Sequence, residues 1–156
     1  MKARNDGANY FGIGILQYKR GHNIGTLWRT AHILGASYIF TIGKSYKKQT
    51  SDVLKSWREI PLFHYDDFDD FYEHLPYNSR LVGVEMEERA EAIGDYEHSE
   101  RAVYLLGAED NGLPLDILDR CHELIQLPGE ISMNVAVSGS IVMYDRVNKL
   151  GKSKTQ

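Results

Sequence analysis

Six short apolar runs, separated by stretches of helical or turn character, constrain this chain more than any other feature. The runs are Phe11–Gln17, Ser37–Ile42, Ile60–His64, Arg80–Val84, residues 101–106 and Leu124–Leu127. Between the first two, Ile24, Leu27, Ala31 and Leu34 recur with a 3.6-residue period. Asn23 suits the N-cap of that helix, and Gly35 suits its C-cap. A short helix is expected near residues 50–57, and a second, capped by Asp66, through His74. Residues 86–98 read as an acidic helix or loop, and Pro114 opens a further short helix. A last helix runs from about residue 133 to 149. Pro61 assigns its run to a sheet edge, because proline cannot donate to a ladder. Strands alternating with helices predict an α/β fold with a mainly parallel sheet flanked by helices. No repeat or linker divides the 156 residues, so a single domain is expected, with residues 1–10 and 150–156 as loose termini.

Composition narrows the class. With 42% hydrophobic and 26% charged residues the chain is an ordinary globular sequence. No run approaches the ~18 apolar residues of a membrane helix, and the first residues lack a secretory pattern. The single Cys121 excludes an internal disulfide and fits a reducing compartment, so a cytoplasmic location is expected. The net charge of −4 conceals an uneven distribution. Residues 1–58 hold ten Lys/Arg against two acids, whereas residues 59–148 hold five against twenty. A basic end interleaved with Tyr18, Trp28, Tyr46 and Trp57 suits a polyanion, and a solvated mixed surface explains the charge equally well.

Several familiar sites fail on spacing. Gly12-Ile13-Gly14 lacks the third glycine of a dinucleotide fingerprint and lies inside a strand rather than after one. Gly43-Lys44-Ser45 ends like a phosphate loop, but Tyr38 stands where its first glycine belongs. The histidines and Cys121 have no metal-ligand spacing, and no metal is expected. Glu85, Glu87, Glu88 and Glu91 read as a solvated acidic surface rather than an acid/base pair.

Three stretches remain. They are Asn23-x-Gly25-x-x-x-Arg29-x-Ala31-x-x-x-Gly35, Leu106-Gly107-x-Glu109-x-x-Gly112-Leu113, and Leu127-Pro128 followed by Ser132-Met133-Asn134-Val135. The last two are expected to follow neighbouring strands, so that their loops meet at the carboxyl edge of the sheet, where α/β folds bind ligands. The glycine-framed loop after residue 106 carries acids, which is unsuited to a phosphate.

In this order, and across about 135 of the 156 residues, the three stretches resemble the motifs of the SpoU-type (TrmH-like) RNA ribose methyltransferases of the SPOUT superfamily. The resemblance implies an α/β fold whose C-terminal part is a deep trefoil knot, a homodimer, and S-adenosylmethionine as cofactor. That cofactor carries a sulfonium and an ammonium but no phosphate, which accounts for a loop without basic residues. Val84, Leu106, Gly107, Gly112, Leu127, Ser132 and Met133 match positions of the cofactor pocket. Gly107 and Gly112 would let the backbone approach the adenosine. Arg29 matches the family's catalytic arginine, with Asn23 and Asn134 near the acceptor and Glu109 stitching the loops or adjoining the reacting centre. A guanidinium with pKa above ~12 is a poor base, so Arg29 is assigned to grip phosphate and stabilise the developing alkoxide. Lys19, Arg20, Lys44, Lys47 and Lys48 are the candidate RNA contacts. The small residues Ser132, Ala136, Gly139 and Ser140, with Met143, share one face of the last helix. That face suits either the dimer interface or packing beneath the chain's own sheet.

The expected activity is therefore S-adenosylmethionine-dependent ribose 2′-O-methylation of RNA, with tRNA as substrate. The short Gly129-Glu130-Ile131 segment leaves the nucleotide open. An RNA-binding protein that kept the knot without catalysis is the alternative; intact Arg29, Glu109, Ser132 and Asn134 weigh against it. An unrelated nucleotide-binding α/β protein would instead bind a dinucleotide or triphosphate.

Overall fold

The computed structural model describes residues 10–17, 24–43, 59–107, 112–129 and 134–154. The expected helix near 50–57 lies outside them, as do Lys19, Arg20, Asn23, Lys44, Lys47, Lys48, Glu109, Ser132 and Met133.

The apolar runs become the strands β1 (Tyr10–Gln17), β2 (Tyr38–Gly43), β3 (Leu62–Tyr65), β4 (Arg80–Val84), β6 (Arg101–Gly107) and β7 (Glu123–Gln126). A further two-residue strand, β5 (Glu91–Ala92), leads into a single 3-10 turn at Ile93–Asp95, where an acidic helix or loop was expected. The helices are α1 (Ile24–Leu34), α2 (Phe68–Glu73), α3 (Leu115–Leu118) and α4 (Val135–Lys154). The N-cap of α2 is Asp67 rather than Asp66: its carboxylate accepts from the Asp70 N–H at 2.8 Å. Neither expected loose end is loose throughout, since Tyr10 opens β1 and α4 continues to Lys154.

The sheet has seven strands in the order β3-β2-β1-β6-β4-β7-β5, and its ladders are all parallel. The Pro61-bearing segment does lie at an edge, as β3. One face packs on α1 and α4 through Ile13, Leu27, Trp28, Val82, Leu106 and Met143. The other packs on α2 and α3 through Phe40, Phe71, Leu81, Leu105 and Ile117. Burying each such side chain contributes about 1.5–3 kcal/mol, so two covered faces explain why the strands are apolar runs rather than alternating ones.

The register also explains Gly12 and Gly14. Each pairs with an aromatic residue of β2, Tyr38 and Phe40 respectively. A Cβ at Gly12 would lie 2.4 Å from the Tyr38 ring, and one at Gly14 would lie 2.3 Å from the Phe40 carbonyl oxygen and 2.4 Å from its ring. The two glycines are seats for aromatic rings, not part of a nucleotide loop.

On the α4 side, one polar network is buried with the core. Arg146 is wholly buried and donates to the Ser99 and Glu100 carbonyls, each at 2.7 Å, and to the Tyr104 hydroxyl at 3.0 Å. Its guanidinium also lies 4.8 Å from the Phe11 ring centroid, so the charge meets carbonyl oxygens and an aromatic face instead of water. Burial pushes the Tyr104 hydroxyl up to about 12, which keeps its proton in place. Tyr104 therefore donates to His98 Nδ1 at 2.7 Å, and His98 Nε2–H donates to Asp145 at 2.7 Å. Asp145 in turn pairs with Lys149 at 2.9 Å.

Candidate functional site

The carboxyl edge of the sheet collects the ends of β4, β6 and β7. At the last rung, Val84 pairs with Leu106 on one side and with Ile125 on the other. The strands β6 and β7 are thus not neighbours, contrary to expectation; β4 stands between them. The last residues of β6 and β7 therefore stand on either side of the end of β4.

The glycine-framed loop closes on itself. A Cβ at Gly107 would fall 2.5 Å from the Gly112 carbonyl carbon and 2.8 Å from the Leu113 nitrogen. Gly107 is needed because the two ends of the loop touch. Gly112 has φ +62°, in the left-handed region, and a Cβ there would lie 1.9 Å from a carboxylate oxygen of Glu85. A side chain at Gly112 meets both an unfavourable backbone conformation and an occupied space.

Glu85 is the residue that sequence reasoning placed wrongly. It is half-buried, and its Oε2 accepts the Leu113 N–H at 2.8 Å while its own N–H donates to the Ile125 carbonyl at 3.0 Å. Oε1 accepts from the Met86 N–H at 3.2 Å. Glu87, also assigned to a solvated surface, binds Arg89 at 2.9 Å, and Arg89 reaches Asp119 at the end of α3 at 2.8 Å. A signal for Glu85 was available: it is the first polar residue after an apolar strand, at the edge where these folds place ligand-facing groups.

Other expected site residues lie at the ends of β4, β6 and β7, at the start of α4 and on α1. Leu106 is buried at 2% exposure, Val84 at 8% and Leu127 at 9%, so the side chains at that edge are apolar and continuous with the core. Asn134 opens α4: its side-chain oxygen accepts from the Ala136 and Val137 N–H groups at 2.9 and 3.2 Å. It is exposed and caps the helix. Arg29 lies on α1, whose Ile24, Leu27, Trp28 and Ala31 are buried. Its side chain is on the exposed face and has no ion-pair or hydrogen-bond partner among the described residues. Among those residues no group of three His, Cys, Asp or Glu is placed to hold a metal ion, and no helix is long and apolar enough to cross a membrane.

Part of the small-residue stripe of α4 faces inward. Ala136 and Met143 are buried, and a Cβ at Gly139 would lie 2.6 Å from Leu27, 3.1 Å from Leu106 and 3.4 Å from Ile13. These contacts put Gly139 and Met143 in the chain's own core, while Ala136 and the half-buried Ser140 also line a groove on the other side. The outward face of α4 instead presents Val137 and Tyr144, 48% and 62% exposed, beside a shallow groove lined with Thr26, Ser140 and Ile141.

Comparison with known proteins places this geometry. Residues 11–144 match the model of the SpoU rRNA Methylase family. A curated relative from Mus musculus, tRNA (guanosine(18)-2′-O)-methyltransferase TARBP1, is 20% identical over 132 residues, covering 79% of this chain and 8% of its own length. The chain therefore spans less than a tenth of that curated relative. A solved structure concerned with 2-OH methylation of C/U34 on tRNA superposes with a TM-score of 0.78 at 26% identity, covering 94% of this chain and 99% of the other. The SpoU methyltransferase AviRb from Streptomyces viridochromogenes, in complex with the cofactor AdoMet, superposes with a TM-score of 0.80 at 20% identity, covering 93% and 62%.

Proposed function

This chain belongs to the SpoU rRNA methylase family, and from that premise we propose that it is an RNA ribose 2′-O-methyltransferase that uses S-adenosylmethionine, acts on tRNA and works as a homodimer. The observation that carries the reading is the family match over residues 11–144, which includes the carboxyl edge with its closed glycine loop.

The residues of that edge fit the cofactor. Gly107 and Gly112 let the two ends of the loop close on each other and on Glu85 without an intervening side chain, and Val84, Leu106 and Leu127 supply apolar side chains. An apolar, glycine-rich edge suits a cofactor that carries no phosphate. Ser132 and Met133, by family resemblance, complete the pocket. When bound, S-adenosylmethionine supplies a methyl group activated by its sulfonium. The protein must then orient the ribose hydroxyl in line and stabilise the oxygen as it loses its proton, and alignment alone is worth several orders of magnitude. Arg29, exposed and unpartnered among the described residues, is available to grip a backbone phosphate and to stabilise the developing alkoxide. Its guanidinium stays protonated, so it acts as an electrostatic group rather than a base. Asn23 and Asn134 adjoin the acceptor in this reading, Glu109 stitches the loops or adjoins the reacting centre, and Lys19, Arg20, Lys44, Lys47 and Lys48 carry the RNA backbone.

Two further parts of the reading concern architecture. We read the C-terminal part as a trefoil knot, supported by the way α4 returns to pack on α1 and β6 after the chain has crossed β4. The dimer is assigned to the outward face of α4 and the start of α1, where Val137, Tyr144 and Thr26 leave apolar surface uncovered.

The test is transfer of labelled methyl from S-adenosylmethionine to tRNA from cells lacking this protein, with the position read by ribose-methylation mapping. One methylated ribose, absent in those cells and restored by the protein, is the expected result. Cofactor binding without transfer to any RNA would favour the non-catalytic RNA-binding alternative.

A further inference from the structure

Among the described residues, Glu85 binds both the end of β7 and the point where the chain returns after the glycine-framed loop. The strand β4 separates β6 from β7, so the stems of their loops share no ladder. Immediately beyond β4, the Glu85 N–H binds the Ile125 carbonyl of β7 at 3.0 Å. Its carboxylate receives the N–H of Leu113, where the chain returns after the glycine-framed loop, at 2.8 Å. Leu113 itself is 5% exposed and seated in the core on the α2/α3 side, so this contact grips a fixed point of the loop rather than its tip. The carboxylate also occupies the space above Gly112, where a Cβ would come within 1.9 Å of Oε2.

We infer that Glu85 is a positioning residue whose carboxylate and backbone N–H together set the separation of the two loop stems, and with it the width of the cofactor cleft; this rests on the cofactor reading proposed above. A buried backbone N–H left without an acceptor is costly, and a charged acceptor makes a bond stronger than a neutral one does. Removing the carboxylate therefore frees the loop stem while leaving strands, core and Arg29 in place. Glu109, to which resemblance assigned the stitching of the loops, is not needed for this contact.

The experiment compares the wild type with Glu85→Ala and Glu85→Gln by three measurements. They are hydrogen exchange at the Leu113 amide, S-adenosylmethionine affinity by calorimetry, and kcat with KM for RNA at saturating cofactor. Glu85→Ala should expose the Leu113 amide to exchange and raise the cofactor Kd about 10- to 100-fold, the range expected for losing a hydrogen bond to a charged group. Any change in kcat at saturating cofactor or in the KM for RNA should be smaller than the change in cofactor Kd, and Glu85→Gln, which keeps an acceptor oxygen, should recover most of the affinity. Gly112→Ala should be less harmful to affinity in the Glu85→Ala background than alone, because the collision with the carboxylate is gone. An unchanged Leu113 exchange rate in Glu85→Ala would overturn the inference, as would an unchanged Kd once that amide is released. If the wild type binds no S-adenosylmethionine while the Leu113 amide still responds, the functional reading has failed and the hold on the loop stands.

Discussion

At the scale of single residues, burial and partners decide what each candidate can do. Arg29 lies on the exposed side of a helix whose opposite face is core, so its replacement perturbs chemistry more than folding. Arg29→Ala is expected to change stability by less than about 0.5 kcal/mol, as surface substitutions do. Methyl transfer should be abolished while calorimetric cofactor affinity stays near normal; loss of that affinity would mean that Arg29 belongs to the cofactor pocket. Glu85 shows the opposite relation. Its sequence neighbours Glu87, Glu88 and Glu91 made it look like part of a charged surface, and the return of the chain at Leu113 gives its carboxylate a partner distant in sequence. Such a contact joins residues 28 positions apart and leaves no periodic trace in the sequence.

At the scale of elements, α4 has two faces with different work. The inward face is closed by Gly139 against Leu27, Leu106 and Ile13, and the outward face carries Val137 and Tyr144. Gly139→Leu forces a large side chain into a packed core, which typically costs about 1–3 kcal/mol. It should lower Tm in proportion without selectively dissociating a dimer. Tyr144→Arg should do the reverse, giving a folded monomer by light scattering with little loss of helical signal by circular dichroism. A dimer that survives Tyr144→Arg but not Gly139→Leu would move the interface to the other face of the helix. The helical period was legible in the sequence, but the stripe of small residues suited either partner, because close approach to a foreign helix and to one's own sheet select the same residues.

At the scale of the whole molecule, the buried network joins α4 to the segment ahead of β6 and gives stability a pH dependence. Burial holds the His98 pKa below its usual value, against the opposing pull of Asp145, while Arg146 and Lys149 also lower it. The unfolded chain therefore takes up a proton on this group more readily than the folded one. Its stabilising contribution is complete above an ordinary histidine pKa of about 6.5 and is lost as pH falls toward the folded value. Thermal unfolding followed from pH 7.5 to 5 should show Tm falling through this window. His98→Gln should have a lower Tm at pH 7.5, consistent with about 1–3 kcal/mol for disrupting a buried hydrogen-bonded pair, and a flatter slope below pH 6.5. An identical slope in both proteins would assign the acid sensitivity to other groups.

The α/β class, six of the strands, the bounds of β4 and the three motif stretches were all legible in the sequence, because local periodicity and turn chemistry specify them. Strand order was not. That β4 separates β6 from β7, that Glu85 holds both loop stems, and that Gly12 and Gly14 seat the rings of Tyr38 and Phe40 all depend on which strands become neighbours. Nor could sequence place Arg146, a surface residue by type, in the core, where Phe11 and the carbonyls of residues 99 and 100 replace water around its charge. The chemistry available along the chain was written in residue types and spacing; which of those groups touch was decided by packing, since contacts between distant segments exist only once the sheet has assembled.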